Sequence, residues 1–555
     1  MKKMKIVIVG GVAGGASSAV RARRLSETAE IIMLEKGSYV SFANCGLPYH
    51  IGGDIPKRES LVLKTPEDFQ QRFKIDVRLQ HEVLNINTNA KTLQIKNALT
   101  GNIYTESWDR LLLSTGASPV VPPIPGLHRP GVFTLRSLSD MDNILAHIEH
   151  RHPQHATVVG GGFIGLEVME ALSHRGIAVT LLEQGTQVMT PVDAEMAEVL
   201  HQEIRQHDVD LRLRTGLTEI AQINGEDKLH ITLNNGETLS TDMIVLAIGV
   251  KPELTLAKNT GLAIGQSGGI QVDEYMETSV PGIYAVGDVV ETTEWVTSKS
   301  TLIPLAGPAN RQGRIAAENM LGGKRRYPHS QGTAICKVFD YAIASVGLNE
   351  KTLRRDNLCY EKVFVHAADH ASYYPGSQTI SLKLLFEPVS GTILGAQAVG
   401  KRGIDKAIDV LAVAQRAGLN VDDLENLEFA YAPPFNSARS VVNQIGMVAS
   451  NVLHGGTRIC HVDDIQRLDP ERQILVDVRT LEELKNLGEF GLGLHIPLDE
   501  LRQRINELPK NKEILIACQS GLRGHVAWRI LTHLGFQARN LTGGYKTWLM
   551  VNASR

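Results

Sequence analysis

The sequence predicts an α/β chain of several domains, and three observations predict it. Two distant segments share one plan of strand, glycine turn, helix and strand, each ending in an acidic residue. Near the end, a buried strand runs into a short cysteine loop and then a helix. With 555 residues the chain is too long for one core, and roughly three to four domains are expected.

Taken in order, Lys5 to Val9 reads as a strand, Gly10 to Gly15 as a turn, Ala16 to Ser26 as a helix and Glu30 to Glu35 as a second strand. The basic start, Met1-Lys2-Lys3-Met4-Lys5, precedes an apolar run, Ile6 to Val9, that is too short for a signal sequence and reads as that first strand. The plan repeats with Ala156 to Val159, Gly160 to Gly165, a helix through Arg175, and Ala178 to Glu183. Each glycine turn lets backbone N–H groups and a helix N-terminus approach a pyrophosphate. The second turn, with Gly160, Gly162 and Gly165, satisfies GxGxxG in full; the first, with Gly10 and Gly15, puts Val12 at the middle position. One such motif is weak, but two with strand, helix and acid in place predict two dinucleotide sites. Glu35 would accept the ribose hydroxyls of the first dinucleotide and Glu183 those of the second. Gln184, Gly185 and Thr186 follow Glu183 with no cation to meet a 2′-phosphate, which favours NADH over NADPH. Leu111 to Gly116 and Ile244 to Gly249 read as further buried strands, and Gly282 to Asp288 delivers Asp288 into a turn where it can accept from a polyol.

Cys45 stands alone in Ser41-Phe42-Ala43-Asn44-Cys45-Gly46, about one βαβ unit beyond the first turn. A thiol there is placed to exchange electrons with a redox cofactor. Val40 and His50 stand five positions to either side, so no local disulfide can close. The oxidised form must pair Cys45 with a small thiol, a sulfur atom or oxygen.

Residues of about 328–450 switch to alternating strands, such as Ser381 to Leu385, and then helices, and Leu453 to Thr457 reads as a linker. Beyond it, Val476-Asp477-Val478-Arg479 is a buried strand ending in a charged pair. Ile514 to Ala517 leads into Cys518-Gln519-Ser520-Gly521-Leu522-Arg523 and a helix from His525. Successive N–H groups and the helix dipole would stabilise a thiolate or persulfide on Cys518, with Arg523 in the cradle.

Composition sets the limits. Hydrophobic content of 43%, charge of 21% and a net charge of -3 describe an ordinary soluble chain that does not call for nucleic acid or an anionic membrane. No apolar run approaches the roughly 20 residues that span a bilayer. Five scattered cysteines argue for a reducing cytoplasm and against a disulfide framework. Cys336, Cys359 and Cys460 read as ordinary thiols. His147, His150, His152 and His155 read as solvated surface, and no metal is expected.

The first 450 residues resemble the pyridine nucleotide–disulfide oxidoreductase family, in the single-cysteine branch that holds coenzyme A disulfide reductase and the NADH oxidases and peroxidases. The resemblance implies FAD on Gly10, Gly15, Glu35 and Asp288. It implies NAD on Gly160, Gly162, Gly165 and Glu183, with Glu167 near the nicotinamide. It also implies a homodimer formed through about 328–450. The peroxidase branch has a histidine where this chain has Ala13, which counts against peroxide or oxygen chemistry. Ser41, Phe42 and Asn44 match the coenzyme A branch, where they line the pantetheine path, and Arg21, Arg23 and Arg24 would suit the coenzyme phosphates. Tyr431, in Tyr431-Ala432-Pro433-Pro434-Phe435-Asn436, matches a tyrosine that reaches the sulfur from the partner subunit; Tyr373 is its companion, with Tyr374 as the competing choice. The C-terminal segment resembles a rhodanese domain with its Cys518-to-Arg523 loop intact.

The expected fold is therefore α/β: two Rossmann-like dinucleotide-binding domains, an α+β dimerisation domain and a C-terminal rhodanese α/β domain. Expected bounds are 1–118 with 253–327 for FAD, 119–252 for NAD, 328–450 for dimerisation, 451–458 for the linker and 459–555 for rhodanese. The resemblance to coenzyme A disulfide reductase–rhodanese fusions implies NADH-dependent reduction of a coenzyme A persulfide or polysulfide to hydrosulfide. The expected site pairs Cys45 and Cys518 with Tyr431, Tyr373 and Arg523, with coenzyme A as carrier. Coenzyme A disulfide reduction, NADH oxidase or peroxidase activity, and a redox-sensing module that docks a partner are the alternatives.

Overall fold

The computed structural model describes residues 3–222 and 228–554. The chain forms two compact units, one of residues up to Gln184 with Arg214–Gly332, the other of Gly185–Leu213 with the residues from Thr333 onward.

The first unit holds two parallel sheets. One runs, in spatial order, Ile283–Ala285, Arg110–Leu113, Lys5–Val9, Glu30–Glu35 and Asp76–Leu79. The apolar run Ile6 to Val9 is buried throughout, as a strand covered on both faces requires. The helix after it starts at Ala13, not Ala16, because the glycine turn already supplies its first turn. This helix, Ala13–Leu25, packs tightly on Ala306–Met320: a Cβ on Gly313 would lie 2.3 Å from the Gly14 carbonyl oxygen. The second sheet contains Ala178–Leu182, His155–Val159, Met243–Leu246 and Val132–Thr134 in spatial order. The helix Phe163–His174 follows its glycine turn. The chain passes between the two sheets through Ala117–Pro119 and Val250–Pro252, which pair antiparallel.

In the second unit an antiparallel sheet runs Ala334–Val338, Tyr341–Gly347, Ile393–Gly400, Thr379–Phe386 and Glu361–Ala368. The helices Ile404–Ala417 and Val441–Leu453 contribute Leu411 and Ile445 to its core. The C-terminal module is a parallel sheet ordered Ile459–Cys460, Ala538–Leu541, Glu513–Ala517, Gln473–Asp477 and Leu494–His495.

The helix Ala194–Gln206, which lies within the span expected for the second dinucleotide domain, is tied to the antiparallel sheet of the second unit by a buried charge cluster. The Lys383 ammonium is fully buried and donates to Asp193 at 2.7 Å, and also to Glu195 and Glu350. Gln397 Nε2 donates to Asp193 at 2.7 Å as well. A carboxylate pair brought by the helix Ala194–Gln206 and its N-cap residue is thereby held on the antiparallel sheet.

The segment read as a linker is a bonded connection. Thr457 is buried, its N–H donates to Asn451 at 3.0 Å, and its hydroxyl lies 2.7 Å from His525 Nδ1. The C-terminal module also covers the edge strand Glu361–Ala368. There the Phe364 N–H donates to Thr542 Oγ1 at 3.0 Å, and His366 Nε2 lies 2.9 Å from Thr547 Oγ1. An exposed edge is a pairing hazard, and the module removes it.

Candidate active site

The two glycine turns are built alike. The Gly11 N–H donates to Glu35 at 2.9 Å, and the Gly161 N–H donates to Glu183 at 2.7 Å. Each acid therefore stands beside its turn with lone pairs left for a ribose. Glu35 is fixed further by the Gly37 N–H at 2.8 Å. In both turns the outer glycines are required by the protein itself. A Cβ on Gly15 would lie 1.9 Å from the Gly10 oxygen, and one on Gly165 would lie 1.8 Å from the Gly160 oxygen. Gly10 and Gly160 have φ of 98° and 109°, and a side chain on either would strike the next strand's end.

Gly162 is different. Its φ is −83°, and a Cβ there would meet nothing within 4 Å. The fold does not need that glycine, but a pyrophosphate approaching the helix N-terminus does. The residues present thus fit a dinucleotide at this turn. Gly162→Val is expected to leave thermal unfolding unchanged and to weaken NADH binding about 100-fold, near 2.7 kcal/mol. A fluorescence titration with NADH checks this; an unchanged Kd would remove the pyrophosphate from this turn.

Asp288 accepts from Arg136 Nη2 at 3.0 Å. Arg136 was not singled out from sequence, because its partner is 152 residues away.

The Cys45 loop is tied directly to the first turn. The Ser41 N–H donates to the Gly11 oxygen at 2.9 Å, and the Leu63 N–H donates to the Ser41 oxygen at 2.9 Å. Ser41 takes φ of 47°, a left-handed conformation that costs a non-glycine residue about 1 kcal/mol. Phe42 bridges to Val62, and the Ala43 N–H donates to Leu61. Asn44 Oδ1 accepts the Cys45 N–H at 3.1 Å and lies 3.8 Å from the sulfur. The thiol is exposed on one side. Protein packed on the other side pushes its pKa up, Glu167 and Asp288 add to the rise, and Arg136 opposes it. Glu167 itself is raised to about 7, chiefly by burial, with Glu170 adding and a hydrogen bond from Tyr49 at 3.1 Å opposing. Tyr49 also escaped the sequence reading. It lies on the helix Leu47–Gly52 that follows Cys45, while Glu167 lies on Phe163–His174 beside the second turn.

The arginines of Ala13–Leu25 divide. Arg21 forms an ion pair with Glu318 at 2.6 Å. Arg23 is buried and donates to the Phe73, Ser26 and Lys74 carbonyls, so it is a structural group and not a phosphate ligand. Arg24 is exposed. In the second unit the Tyr373 and Tyr431 hydroxyls lie 2.9 Å apart, and both rings are exposed. Tyr374 instead sets its ring against His370. The structure therefore brings Tyr373, not Tyr374, to Tyr431.

Cys518 is buried and accepts the Gly521 N–H at 3.1 Å. The loop is braced from beneath: the Tyr545 N–H donates to the Cys518 carbonyl at 2.7 Å, and Asn540 Nδ2 donates to the Gly521 carbonyl at 3.0 Å. Gly521 caps the helix Leu522–His533. Arg523 makes a two-pronged pair with Glu483, at 2.7 Å for one prong, which holds that carboxyl near 2. The charged pair at the end of the neighbouring strand is also closed, with the buried Arg479 on Asp477 at 2.7 Å. Cys336 and Cys460 are buried, and burial pushes the Cys460 thiol well up.

Among the described residues, Asp193, Glu195 and Glu350 offer oxygens within 4.8 Å of one another. Lys383 Nζ sits among them, so this is an ion cluster and not a metal centre. His155 is committed to Thr241 and Thr180, and the four histidines of the patch form no ligand set.

Known proteins bear on this geometry as follows. The family described as pyridine nucleotide-disulphide oxidoreductase matches residues 4–313, its dimerisation domain 333–441, and the rhodanese-like domain 463–550. Staphylococcus epidermidis coenzyme A disulfide reductase is 37% identical over 446 residues, 80% of this chain and 99% of that protein. The structure of reduced Bacillus anthracis CoADR-RHD is 48% identical with a TM-score of 0.97, covering 100% of this chain and 99% of that one. An NAD-dependent persulfide reductase from A. fulgidus is 38% identical with a TM-score of 0.91, covering 98% and 100%.

Proposed function

The chain belongs to the pyridine nucleotide-disulphide oxidoreductase family, and from that premise we propose that it is an NADH-dependent reductase of sulfane sulfur. The observation that carries the reading is the pairing of Cys45 with an intact Cys518 loop in one chain. The staphylococcal relative matches 80% of this chain, whereas the two structural relatives cover 100% and 98% of it.

Bound at the first turn, FAD would supply the two-electron link between NADH and a thiol. Gly10, Gly15, Glu35 and Asp288 would hold it, and Gly160, Gly162, Gly165 and Glu183 would hold NADH. In this reading Ser41, Phe42 and Asn44 line the path of a coenzyme A arm, and Arg24 takes a phosphate. Arg21 can do so only by leaving Glu318. The Cys45 thiolate bonds to the outer sulfur of a coenzyme A persulfide; the substrate's S–S bond breaks and coenzyme A leaves as its thiolate. The Tyr373–Tyr431 pair, brought by the partner subunit of the homodimer, gives that thiolate a proton. The electron pair from one NADH then splits the Cys45 persulfide into hydrosulfide and the restored thiolate. Cys518 loads the carrier from polysulfide or another donor, with Gly521 N–H holding the sulfur anion. The protein works as a homodimer in a reducing cytoplasm. All five cysteines are free, and among the described residues no helix is long and apolar enough to cross a membrane.

The test is anaerobic NADH oxidation with coenzyme A persulfide, with coenzyme A disulfide and, separately, with oxygen. One hydrosulfide per NADH, fastest on the persulfide, supports the reading. Faster turnover of the disulfide or of oxygen assigns the activity to that substrate. Cys518→Ser is expected to keep turnover of ready-made persulfide while slowing turnover fed by polysulfide and catalytic coenzyme A at least about tenfold. Equal rates in that assay would make the C-terminal module a docking domain.

A further inference from the structure

A cavity of about 280 Å3 in the second unit takes no part in the reaction as written above. Much of its lining is apolar, with Ile380, Ala407, Val410, Phe429 and Val442 among the residues around it. One polar side chain is sealed into its wall. His370 is 5% exposed, and its Nδ1 lies 3.0 Å from Asp369 Oδ1. Its Nε2 is buried and, among the described residues, meets no hydrogen-bond partner. A buried ring nitrogen left unpaired is costly, and such an atom in a cavity wall marks a place for a group that would pair it. The lining carboxylate is already spent: Asp369 Oδ1 also accepts the His370 and Gln378 N–H groups, at 3.0 and 2.8 Å.

The remaining charged groups of the lining are cations. Arg402 and Lys406 are exposed, and among the described residues neither pairs with an acid. They flank the N-terminus of the helix Ile404–Ala417. Its N-cap residue, Gly403, has φ of 73° and supplies no side-chain bond, and Gly403 and Lys406 both line the cavity. The N–H groups of that first turn have no acceptor within the helix, and the dipole favours a negative group beside them. Asp405, the acid of the same turn, is exposed and does not line the cavity.

We propose that this cavity binds a small carboxylate with an apolar body, its head held by His370 Nε2, Arg402 and Lys406 and its body against Phe429 and Val442. A carboxyl group pairs Nε2 in either form of the ring, as carboxylate to an imidazolium or as acid to a neutral imidazole. A cationic ligand would be opposed by Arg402 and Lys406, and a hydrocarbon would leave Nε2 unpaired. The inference goes beyond the reductase reading and does not depend on it. Tyr374, Pro434 and Phe435 also line the cavity. The Ala371 N–H ties their two segments together, donating to the Asn436 carbonyl at 3.1 Å and to the Pro433 carbonyl at 3.3 Å. The same segments carry Tyr373 and Tyr431, so a bound carboxylate touches both supports of the hydroxyl pair.

The experiment is hydrogen exchange with mass detection on the full-length holoenzyme, with hexanoate as the probe and acetate, hexanol and hexylamine beside it. Hexanoate is expected to slow exchange across 369–375 and 402–410 saturably, with a Kd of about 1 mM or below. Acetate lacks the apolar body, and hexanol and hexylamine lack the anionic head, so each should need at least about tenfold more ligand for the same protection. Arg402→Ala combined with Lys406→Ala, both at exposed positions, is expected to weaken hexanoate about tenfold, and His370→Leu by as much. The double variant keeps the test decisive should His370→Leu fail to fold. No protection at ~10 mM hexanoate, ten times that Kd, overturns the proposal, and it is the result to be met if a segment of a second copy fills the cavity. Protection by hexylamine or hexanol equal to that by hexanoate, or an unchanged Kd in the double variant, overturns it as well.

Discussion

Replacing Cys45 with serine is expected to abolish sulfur-linked turnover, by a factor on the order of 10⁴ or more, while leaving the fold and NADH binding intact. The size follows from the chemistry. A serine hydroxyl cannot form or break a bond to sulfur at neutral pH, so the variant loses the covalent path and not just a contact. A factor of 10⁴ is about 5 kcal/mol of barrier, the scale on which removal of a nucleophile is measured. Structure should survive because the loop is held by its backbone and its neighbours, not by the sulfur. The Ser41, Ala43 and Leu63 N–H groups carry its bonds, and the sulfur's own contact with Asn44 is 3.8 Å long. Hydrosulfide release from coenzyme A persulfide is the primary reading. NADH oxidation by ferricyanide, which needs no thiol, is the control that the variant is competent. Hydrosulfide released at more than a hundredth of the native rate would mean that Cys45 is not the attacking group.

How much of this site was legible in the sequence depended on how far its contacts reach. Gly10 to Glu35 and Gly160 to Glu183 are local units, and strand, turn, helix and acid can be read from spacing alone. Cys45 and the Cys518 loop are short motifs with no local alternative. Tyr49 and Arg136 were missed because their partners lie 118 and 152 residues away, and nothing around either residue marks it. Arg21 read as a free cation for the same reason: Glu318 is 297 residues distant. The tie between the helix Ala194–Gln206 and the antiparallel sheet rests on a side chain that looks ordinary in sequence. Lys383 occupies one position of an alternating strand, where a lysine normally faces water. Only the fold shows that this position faces inward. Tyr373 and Tyr374 could not be ranked by adjacency, and the hydroxyl contact with Tyr431 separates them.

That same lysine carries the largest expected effect on stability. Lys383→Met is expected to destabilise the second unit by about 4 kcal/mol at pH 7, the cost of leaving buried carboxylates without their cation. Asp193, Glu195 and Glu350 all bond the ammonium; Lys362 reaches only Glu350, at 2.9 Å, and Arg354 likewise pairs with Glu350. Asp193 and Glu195 would lose the ammonium that bonds both, leaving Lys351 to act on them through space alone. The pH dependence fixes the mechanism. In the native protein the Glu350 carboxyl is held far below its ordinary value of 4.5, burial being outweighed by Lys383 and Lys362. Its stabilisation is present above that value and is lost as pH falls through it. The Lys383 ammonium, raised above 10.5 by its carboxylates against burial, contributes fully below that value and loses its contribution only as pH rises past it. Near neutrality both contributions are intact. In the methionine variant Glu350 keeps Lys362 but loses Lys383, so its carboxyl is held down less. The deficit of the variant is therefore full near pH 7 and shrinks as pH falls below 4.5. Hydrogen exchange across Thr379–Phe386 reads this directly, as that strand carries Lys383. Exchange accelerated at pH 7 by about 10³-fold, and moving closer to native as pH falls below 4.5, is the expected pattern. A deficit that stayed constant with pH would mean that the methionine harms packing, and that the ion cluster does not hold Gly185–Leu213 on the sheet.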